Sequence, residues 1–124
     1  MANSTEAIIK EYWNSVNTRD WSTFMDLIAE DIVYDLPQTR EKIQGRLAFK
    51  SFNEIYPGNW TLSVTTLVSG ENQAASIISF VDNDEEQTGI SFFELEGGLI
   101  QRIKEYWPTP YQAPPRNNEN IERY

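Results

Sequence analysis

Four β-type segments in the second half of the chain constrain the fold more than any other feature. Val, Ile, Thr and Phe are concentrated in segments 60–68, 73–81, 86–95 and 99–107, and the loops between them read SGEN, DNDE and EGG. Short loops of this kind are typical of β-hairpins. Because they leave no room for a crossover, consecutive segments must pair with each other. The sequence therefore predicts a four-stranded antiparallel meander.

Three amphipathic helices are predicted before the meander. Apolar residues recur at helical spacing in segments 4–16, 21–28 and 46–56, which is the pattern of helices that bury one face. Asn3 or Ser4 is a suitable N-cap for the first helix. Between Pro37 and Gly45, before the third helix, we expect a polar loop.

Segment 30–38, EDIVYDLPQ, reads as a short strand between the second and third helices. Strand positions two apart face the same side, so Asp35 shares a face with Val33. The opposite face carries Ile32, Tyr34 and Leu36. Asp35 is therefore either a solvent-side residue near a strand end or a carboxylate aimed into a cavity. The element order predicts an α+β domain with the helices on one face of a curved, mostly antiparallel sheet.

Length and composition bound the domain organisation. The chain has 124 residues, which suits a single domain. We expect this domain to span residues 1–107 and a proline-rich, extended tail to span 108–124, because the tail lacks apolar periodicity. The N-terminus has no basic region followed by an apolar run, and no segment approaches the roughly 20 apolar residues that a membrane span needs. We expect a soluble, cytoplasmic protein.

Charge and missing residue types exclude several classes of function. The formal net charge of −9 repels phosphate backbones and anionic membranes, so neither nucleic acid nor a membrane is an expected partner. The sequence contains no cysteine and no histidine, which excludes thiol nucleophiles, imidazole bases and zinc sites built from these residues. Proton transfer would depend on carboxylates, Lys or Tyr.

The last β-type segment places a second carboxylate in a candidate cavity. Its less charged face carries Leu99, Gln101, Ile103, Glu105 and Trp107, whereas its other face carries Ile100, Arg102, Lys104 and Tyr106. If the first face looks toward the helices, Glu105 points inward and needs partners or a raised pKa. A purely structural alternative is that Glu105 bonds to Arg40, Arg46 or Gln101.

Two apolar residues of segment 86–95 are predicted to lie on the outside of the sheet. The alternation of side chains along this segment places Gly89, Ser91, Phe93 and Leu95 on the face toward the helices, and Ile90 and Phe92 on the outer face. Ile78 and Phe80 of the neighbouring segment would join them if its phase is the same. An apolar outer face predicts a partner. A β-bulge would instead exchange the two faces.

Several motifs in this order resemble a known superfamily. VNTRDW between the first two helices, DIVYD in the first strand and GGLIQRIKEYW at the end resemble the nuclear transport factor 2-like superfamily, in its SnoaL-like and ketosteroid-isomerase-like branch. The resemblance covers residues 5–107 and implies a cystatin-like cone that encloses a pocket. The superfamily includes isomerases, cyclases, dehydratases, epoxide hydrolases and plain binding proteins, so the resemblance predicts a pocket before it predicts a reaction.

The resemblance also implies roles for single residues. The isomerase pattern places its oxyanion-stabilising tyrosine on Tyr12 and its general base on Asp35, while its second oxyanion donor falls on or near Ser91. At the position of Glu105 that pattern has a small apolar residue. Two carboxylates in one dry site would raise the pKa of one of them, so that one carboxyl group would serve as the acid and the other as the base.

These observations lead to one functional expectation and one alternative. We expect a pocket that binds a small, largely apolar carbonyl compound, with possible isomerisation, cyclisation or dehydration by Asp35, Tyr12 and Glu105 and without metal or organic cofactor. The expected substrate-binding residues are Trp13, Phe24, Phe52, Ser91, Phe93, Ile103 and Trp107. The alternative is a non-catalytic ligand-binding or dimeric scaffold domain. Members of the superfamily commonly pair through the outer sheet face, so the resemblance also implies a homodimer through Ile90 and Phe92.

Overall fold

A computed structural model describes residues 4–124 of the chain. It contains the helices α1 (Thr5–Thr18), α2 (Trp21–Leu27) and α3 (Arg46–Glu54), with the strands β1 (Ile28–Leu36) and β2 (Glu41–Gln44) between α2 and α3. The meander consists of β3 (Trp60–Gly70), β4 (Gln73–Asp82), β5 (Glu85–Glu96) and β6 (Leu99–Tyr106). Residues 108–124 contain no helix or strand. Within the described residues no helix is long and apolar enough to cross a bilayer.

All six strands form one open sheet in the order β2-β1-β6-β5-β4-β3. The strands β1 and β6 run parallel, and every other neighbouring pair is antiparallel. The three helices cover one face, which we call the inner face, and the buried apolar residues of helices and strands form one core there. The predicted α+β class is confirmed.

Left-handed backbone conformations close the hairpin turns of the meander. Gly97 and Gly98 connect β5 to β6 with φ angles of 60° and 79°. Two-residue turns of this hand match the twist of the flanking strands and favour glycine, since a side chain resists positive φ. Asn72 and Asn83 take the same region in the other two turns, with φ angles of 61° and 58°.

The junction between α1 and α2 is bonded to the edge strand β3. Asn17 Oδ1 accepts a hydrogen bond of 2.9 Å from the backbone N–H of Leu62. Arg19 has a left-handed φ of 59°, and its guanidinium lies 3.6 Å from the ring centroid of Trp60. The VNTRDW motif therefore attaches the helical layer to the sheet. At the other end of α1, Ser4 is the N-cap, whereas Asn3 lies outside the described residues.

Strand β2 was predicted as a loop. Three of its four residues are exposed, and only Ile43 is half-buried. An edge strand of this length buries too little to show an alternating pattern. It pairs with β1 from Val33 to Leu36.

The predicted phase of β6 is wrong in its first half. Ile100 is fully buried and Leu99 is 37% exposed, while the side chain of Gln101 donates to Asp31 at an exposed edge. A register shift against β5 between Glu94 and Leu95 is the cause, because one extra residue exchanges the two faces of a strand. From Ile103 onward the predicted phase holds.

The expectation that Ile78 and Phe80 lie on the outer face is also wrong. Ile78 pairs with Gly89 of β5, and Phe80 pairs with Gln87. Directly opposed residues share a face, so both side chains point to the inner face. Ile78 is 1% exposed.

An apolar surface nevertheless remains on the outer face. Cross-strand pairing places its members side by side on β3 to β6. This outer patch consists of Val68, Ile77, Ile90, Phe92 and Tyr106. Val68 and Phe92 are 60% and 49% exposed, and the rings of Phe92 and Tyr106 pack edge to face at 6.2 Å.

We expect Asn17→Ala to destabilise the fold by about 1–3 kcal/mol, because the N–H of the buried Leu62 would lose its acceptor. Chemical denaturation measures this change. The matched control is Asn14→Ala on the exposed side of α1, which should stay within about 0.5 kcal/mol of the wild type. Equal stabilities of the two variants would contradict a structural role for Asn17.

We propose, as the sequence predicted, that a second copy of the chain covers the outer patch. Light scattering should then give a dimer for the wild type at tens of micromolar and a folded monomer for Phe92→Glu, because burying an unpaired carboxylate is costly. Leu47→Glu is the control, since Leu47 is 73% exposed and lies on α3, away from the patch. A monomeric wild type would refute the dimer.

Candidate active site

A cavity of about 430 Å³ lies between the helices and the inner face of the sheet. Exposed or half-buried polar residues surround its mouth, namely Gln38, Thr39, Glu41, Asn53 and Gln87. Its deep part is bordered by the buried side chains of Tyr12, Trp13, Tyr34, Trp60, Leu62, Ile78 and Glu105. The cavity therefore narrows from a polar mouth to an aromatic interior that contains one carboxyl group.

Glu105 is the carboxyl group in the deep part of the cavity. Its Oε1 accepts a hydrogen bond of 2.6 Å from Ser91 Oγ. Its Oε2 accepts from the hydroxyl of Tyr34 and, at 3.0 Å, from Nε1 of Trp107. The sheet provides this arrangement, because Ser91 lies directly opposite Glu105 on β5, and β1 brings Tyr34 from the other side.

Burial raises the pKa of Glu105 above its ordinary value, and the hydrogen bonds from Ser91, Tyr34 and Trp107 oppose this shift. The side chain is only 4% exposed, so its charged form loses most of its hydration. The three donors partly replace the lost hydration. Glu105 is thus an oriented carboxyl group whose proton affinity exceeds that of a surface glutamate.

Gly89 allows Trp107 to reach Glu105. A Cβ atom at position 89 would lie 2.9 Å from a carbon of the Trp107 indole, closer than such atoms can approach. The indole crosses β5 at this glycine and also packs edge to face against Phe80 at 5.5 Å. The backbone N–H of Trp107 donates to Gln38 at 2.5 Å, which fixes the residue near the mouth.

Two tyrosines near Glu105 remain protonated at neutral pH. Burial, and secondly the nearby Glu105, raise the pKa of Tyr12 and of Tyr34 well above the ordinary value. The hydroxyl of Tyr34 donates to Glu105. That of Tyr12 borders the cavity and forms no side-chain hydrogen bond with any other residue in 4–124. Tyr12 therefore offers an unused donor to the cavity.

The structure brings about half of the predicted site residues to the cavity. Tyr12, Trp13, Phe52, Glu105 and Trp107 border it. Ser91 does not border it but donates to Glu105. The remaining predicted substrate-binding residues are buried in the core behind the cavity wall, namely Phe24, Phe93 and Ile103.

Asp35 does not reach the cavity. It lies opposite Lys42 on β2 and opposite Lys104 on β6, half-buried on the outer face. Its neighbours in sequence, Tyr34 and Leu36, border the cavity instead. Because successive strand residues alternate, the expectation that Asp35 shares a dry site with Glu105 is not met. The expected structural partners of Glu105 also differ, since the hydrogen bonds come from Tyr34, Ser91 and Trp107.

Several cavity residues were missing from the sequence prediction. Tyr34 shares a face of β1 with Ile32 and Leu36, and the alternation groups these residues without showing that their face is the buried one. Tyr56, Trp60 and Phe80 follow from no short motif, since they come from the turn after α3 and from two strands. Only the sheet and helix packing brings these rings together.

Comparison with known proteins places the fold in a family. Residues 9–103 match the model of the SnoaL-like domain. No curated protein matches the chain by sequence. A crystal structure of a candidate ketosteroid isomerase from Kribbella flavida is 38% identical, with a TM-score of 0.94 over 99% of this chain and 91% of that chain.

Two more distant structures share the fold alone. An NTF2-like protein of unknown function from Burkholderia xenovorans is 22% identical, with a TM-score of 0.78 over 87% of this chain and 85% of that chain. A candidate polyketide cyclase from Xanthomonas campestris is also 22% identical, with a TM-score of 0.66 over 82% and 88% of the two chains. The chain belongs to the SnoaL-like domain family, and its structural neighbours are ketosteroid isomerase-like and NTF2-like proteins.

We expect Glu105→Gln to remove part of the pH dependence of stability. A carboxyl with a raised folded pKa stabilises the fold fully below about pH 4.3, the ordinary glutamate pKa, and this stabilisation is lost as pH rises through the raised value. The free energy of unfolding of the wild type, relative to the variant, should therefore decrease with rising pH in urea titrations. The control Glu96→Gln, at an exposed site, should follow the wild type. A difference that does not vary with pH would contradict the raised pKa.

Proposed function

We propose that this cavity binds a small, largely apolar carbonyl compound and that Glu105 moves a proton on it, in an isomerase or cyclase type of reaction. The observation that carries the proposal is the oriented, buried carboxyl of Glu105 at the inner end of an aromatic cavity. The family supports a pocket protein of this general kind. The base is Glu105, not Asp35 as the resemblance implied.

Glu105 keeps room for a proton despite its three hydrogen bonds. A carboxylate has about four acceptor positions. Ser91 uses one on Oε1, while Tyr34 and Trp107 use two on Oε2. The remaining position is on Oε1, which is therefore the atom to receive a proton. The raised pKa brings its proton affinity closer to neutral pH, where general bases are most effective.

Tyr12 supplies the complementary group. Removing a proton from the carbon next to a carbonyl transfers negative charge to the carbonyl oxygen. A protonated hydroxyl that faces this oxygen stabilises the charge, most strongly in a site without water. Tyr12 is 2% exposed and its hydroxyl is not used by another described side chain. Base and oxyanion donor thus border the same cavity.

The alternative is a binding protein without turnover. The three donors on Glu105 support this alternative. A carboxylate that accepts hydrogen bonds on both oxygens also suits a purely structural role, in which it stabilises the fold and catalyses nothing. The two functions differ in one measurable property, because only the first exchanges a proton with a bound ketone.

We expect the protein to catalyse deuterium exchange at the activated methylene of β-tetralone, a small apolar ketone, observed by NMR in D₂O. Exchange should accelerate as pH rises through the raised pKa of Glu105, because only the carboxylate accepts the proton. Glu105→Gln should reduce the rate by at least about 100-fold, and Tyr12→Phe by about 100-fold.

The matched control is Asp35→Asn, which removes a neighbouring strand carboxylate from the outer face and should leave exchange unchanged. A rate that falls in Asp35→Asn but not in Glu105→Gln would restore Asp35 as the base. Binding of β-tetralone without any exchange would establish the alternative function. Native mass spectrometry of the purified protein then identifies a ligand that copurifies.

A further inference from the structure

The cavity walls combine negative charge and aromatic rings. Eight of the eighteen described residues that border the cavity are aromatic. Two are carboxylates, Glu41 and Glu105, and no Lys or Arg among residues 4–124 borders it. We propose that the compound bound here carries a basic nitrogen, as a protonated or quaternary amine. The inference rests on the proposed function in using the same cavity, and it adds the charge of the ligand.

Among residues 4–124, Glu105 has no cationic partner. None of the three ion pairs formed by the described residues includes it, and its hydrogen bonds come from two hydroxyls and an indole. Neutral donors orient a carboxylate but leave its charge uncompensated. In a site of low dielectric, a positive charge several ångströms away still interacts strongly with it. A cationic ligand would supply the missing charge without direct contact, and Oε1 would stay available.

Glu41 extends the negative field to the mouth. It is exposed and borders the opening, together with the uncharged Gln38 and Gln87. A cleft lined by one sign of charge concentrates the electric field and attracts ligands of the opposite charge. The net charge of −9 on the chain also attracts cations. A carboxylate or phosphate ligand would meet two like charges and, in the described part of the lining, no arginine or lysine.

The aromatic walls suit the same ligand. Ring faces attract cations within about 6 Å of their centroids. Trp60 already does so within the protein, since the Arg19 guanidinium lies 3.6 Å from its centroid. Tyr56 is 47% exposed and its ring packs edge to face with Phe52 at 5.8 Å, so part of its surface is open to a ligand.

Three probes of similar size and different charge test the inference. Phenethylamine is a cation at neutral pH, phenethyl alcohol is neutral and phenylacetate is an anion. Isothermal titration calorimetry should show phenethylamine binding at least about tenfold more tightly than phenylacetate, with the alcohol between them.

Two sets of variants, each with its own control, identify the source of the preference. Glu41→Gln and Glu105→Gln should each weaken phenethylamine binding by a several-fold larger factor than phenethyl alcohol binding, whereas Glu96→Gln, outside the cavity, should change neither. Tyr56→Leu keeps an apolar wall and removes the ring, so it should weaken only the amine. Tyr111→Leu in the exposed tail is its control.

The outcomes separate the two proposals. Phenylacetate that binds as tightly as phenethylamine would overturn the charge preference and leave a ligand-binding cavity intact. A preference for the amine that survives in both Glu41→Gln and Glu105→Gln would also overturn it. If none of the three probes bound at millimolar concentration while β-tetralone did bind, the inference about the charge of the ligand would fail and the proposed function would stand. If β-tetralone failed as well, the proposed function would fail with it.

Discussion

The burial of one carboxyl group, that of Glu105, organises the rest of this structure. A buried carboxylate without partners is too costly to retain, and its partners come from two neighbouring strands and from the residue that follows β6. Ser91 lies directly opposite Glu105 on β5, and Tyr34 reaches it from β1, which runs parallel to β6. Trp107 completes the set because Gly89 leaves space for its indole. The site therefore depends on the sheet register, because a shift by one residue against β5 or β1 would separate Glu105 from Ser91 or from Tyr34.

The hydrogen-bond donors that stabilise Glu105 in the fold also prepare it for the proposed proton transfer. The donors hold the carboxylate in one orientation, while burial keeps its proton affinity high. Tyr12, which borders the same cavity, remains a protonated donor for the same reason. An oriented carboxyl group and a protonated hydroxyl beside an aromatic cavity are the elements of acid–base catalysis. The SnoaL-like fold provides the cavity, and we propose that the charges on its walls decide which compounds it accepts.

Local sequence patterns predicted most of the fold. Helical periodicity located α1, α2 and α3, and short polar loops located the hairpins of the meander. Prediction failed where a pattern was too short or was interrupted. The strand β2 has one half-buried residue, so no alternation marks it. The bulge between β5 and β6 exchanged the places of Leu99 and Ile100, and local periodicity does not reveal where an extra residue enters a ladder.

For the site, the sequence by itself determined the available chemistry. Without histidine and cysteine, proton transfer depends on carboxylates, lysines and tyrosines, and the alternation in β6 already placed Glu105 on the same face as Ile103. Only the tertiary structure decided that Tyr34 and not Asp35 faces the cavity. Both faces of β1 carry apolar residues. The alternation of side chains along a strand therefore shows which residues share a face, but it does not show which of the two faces is buried. The packing of α3 and β6 against this strand resolves the choice, because burial is a property of the assembled layers and not of one strand.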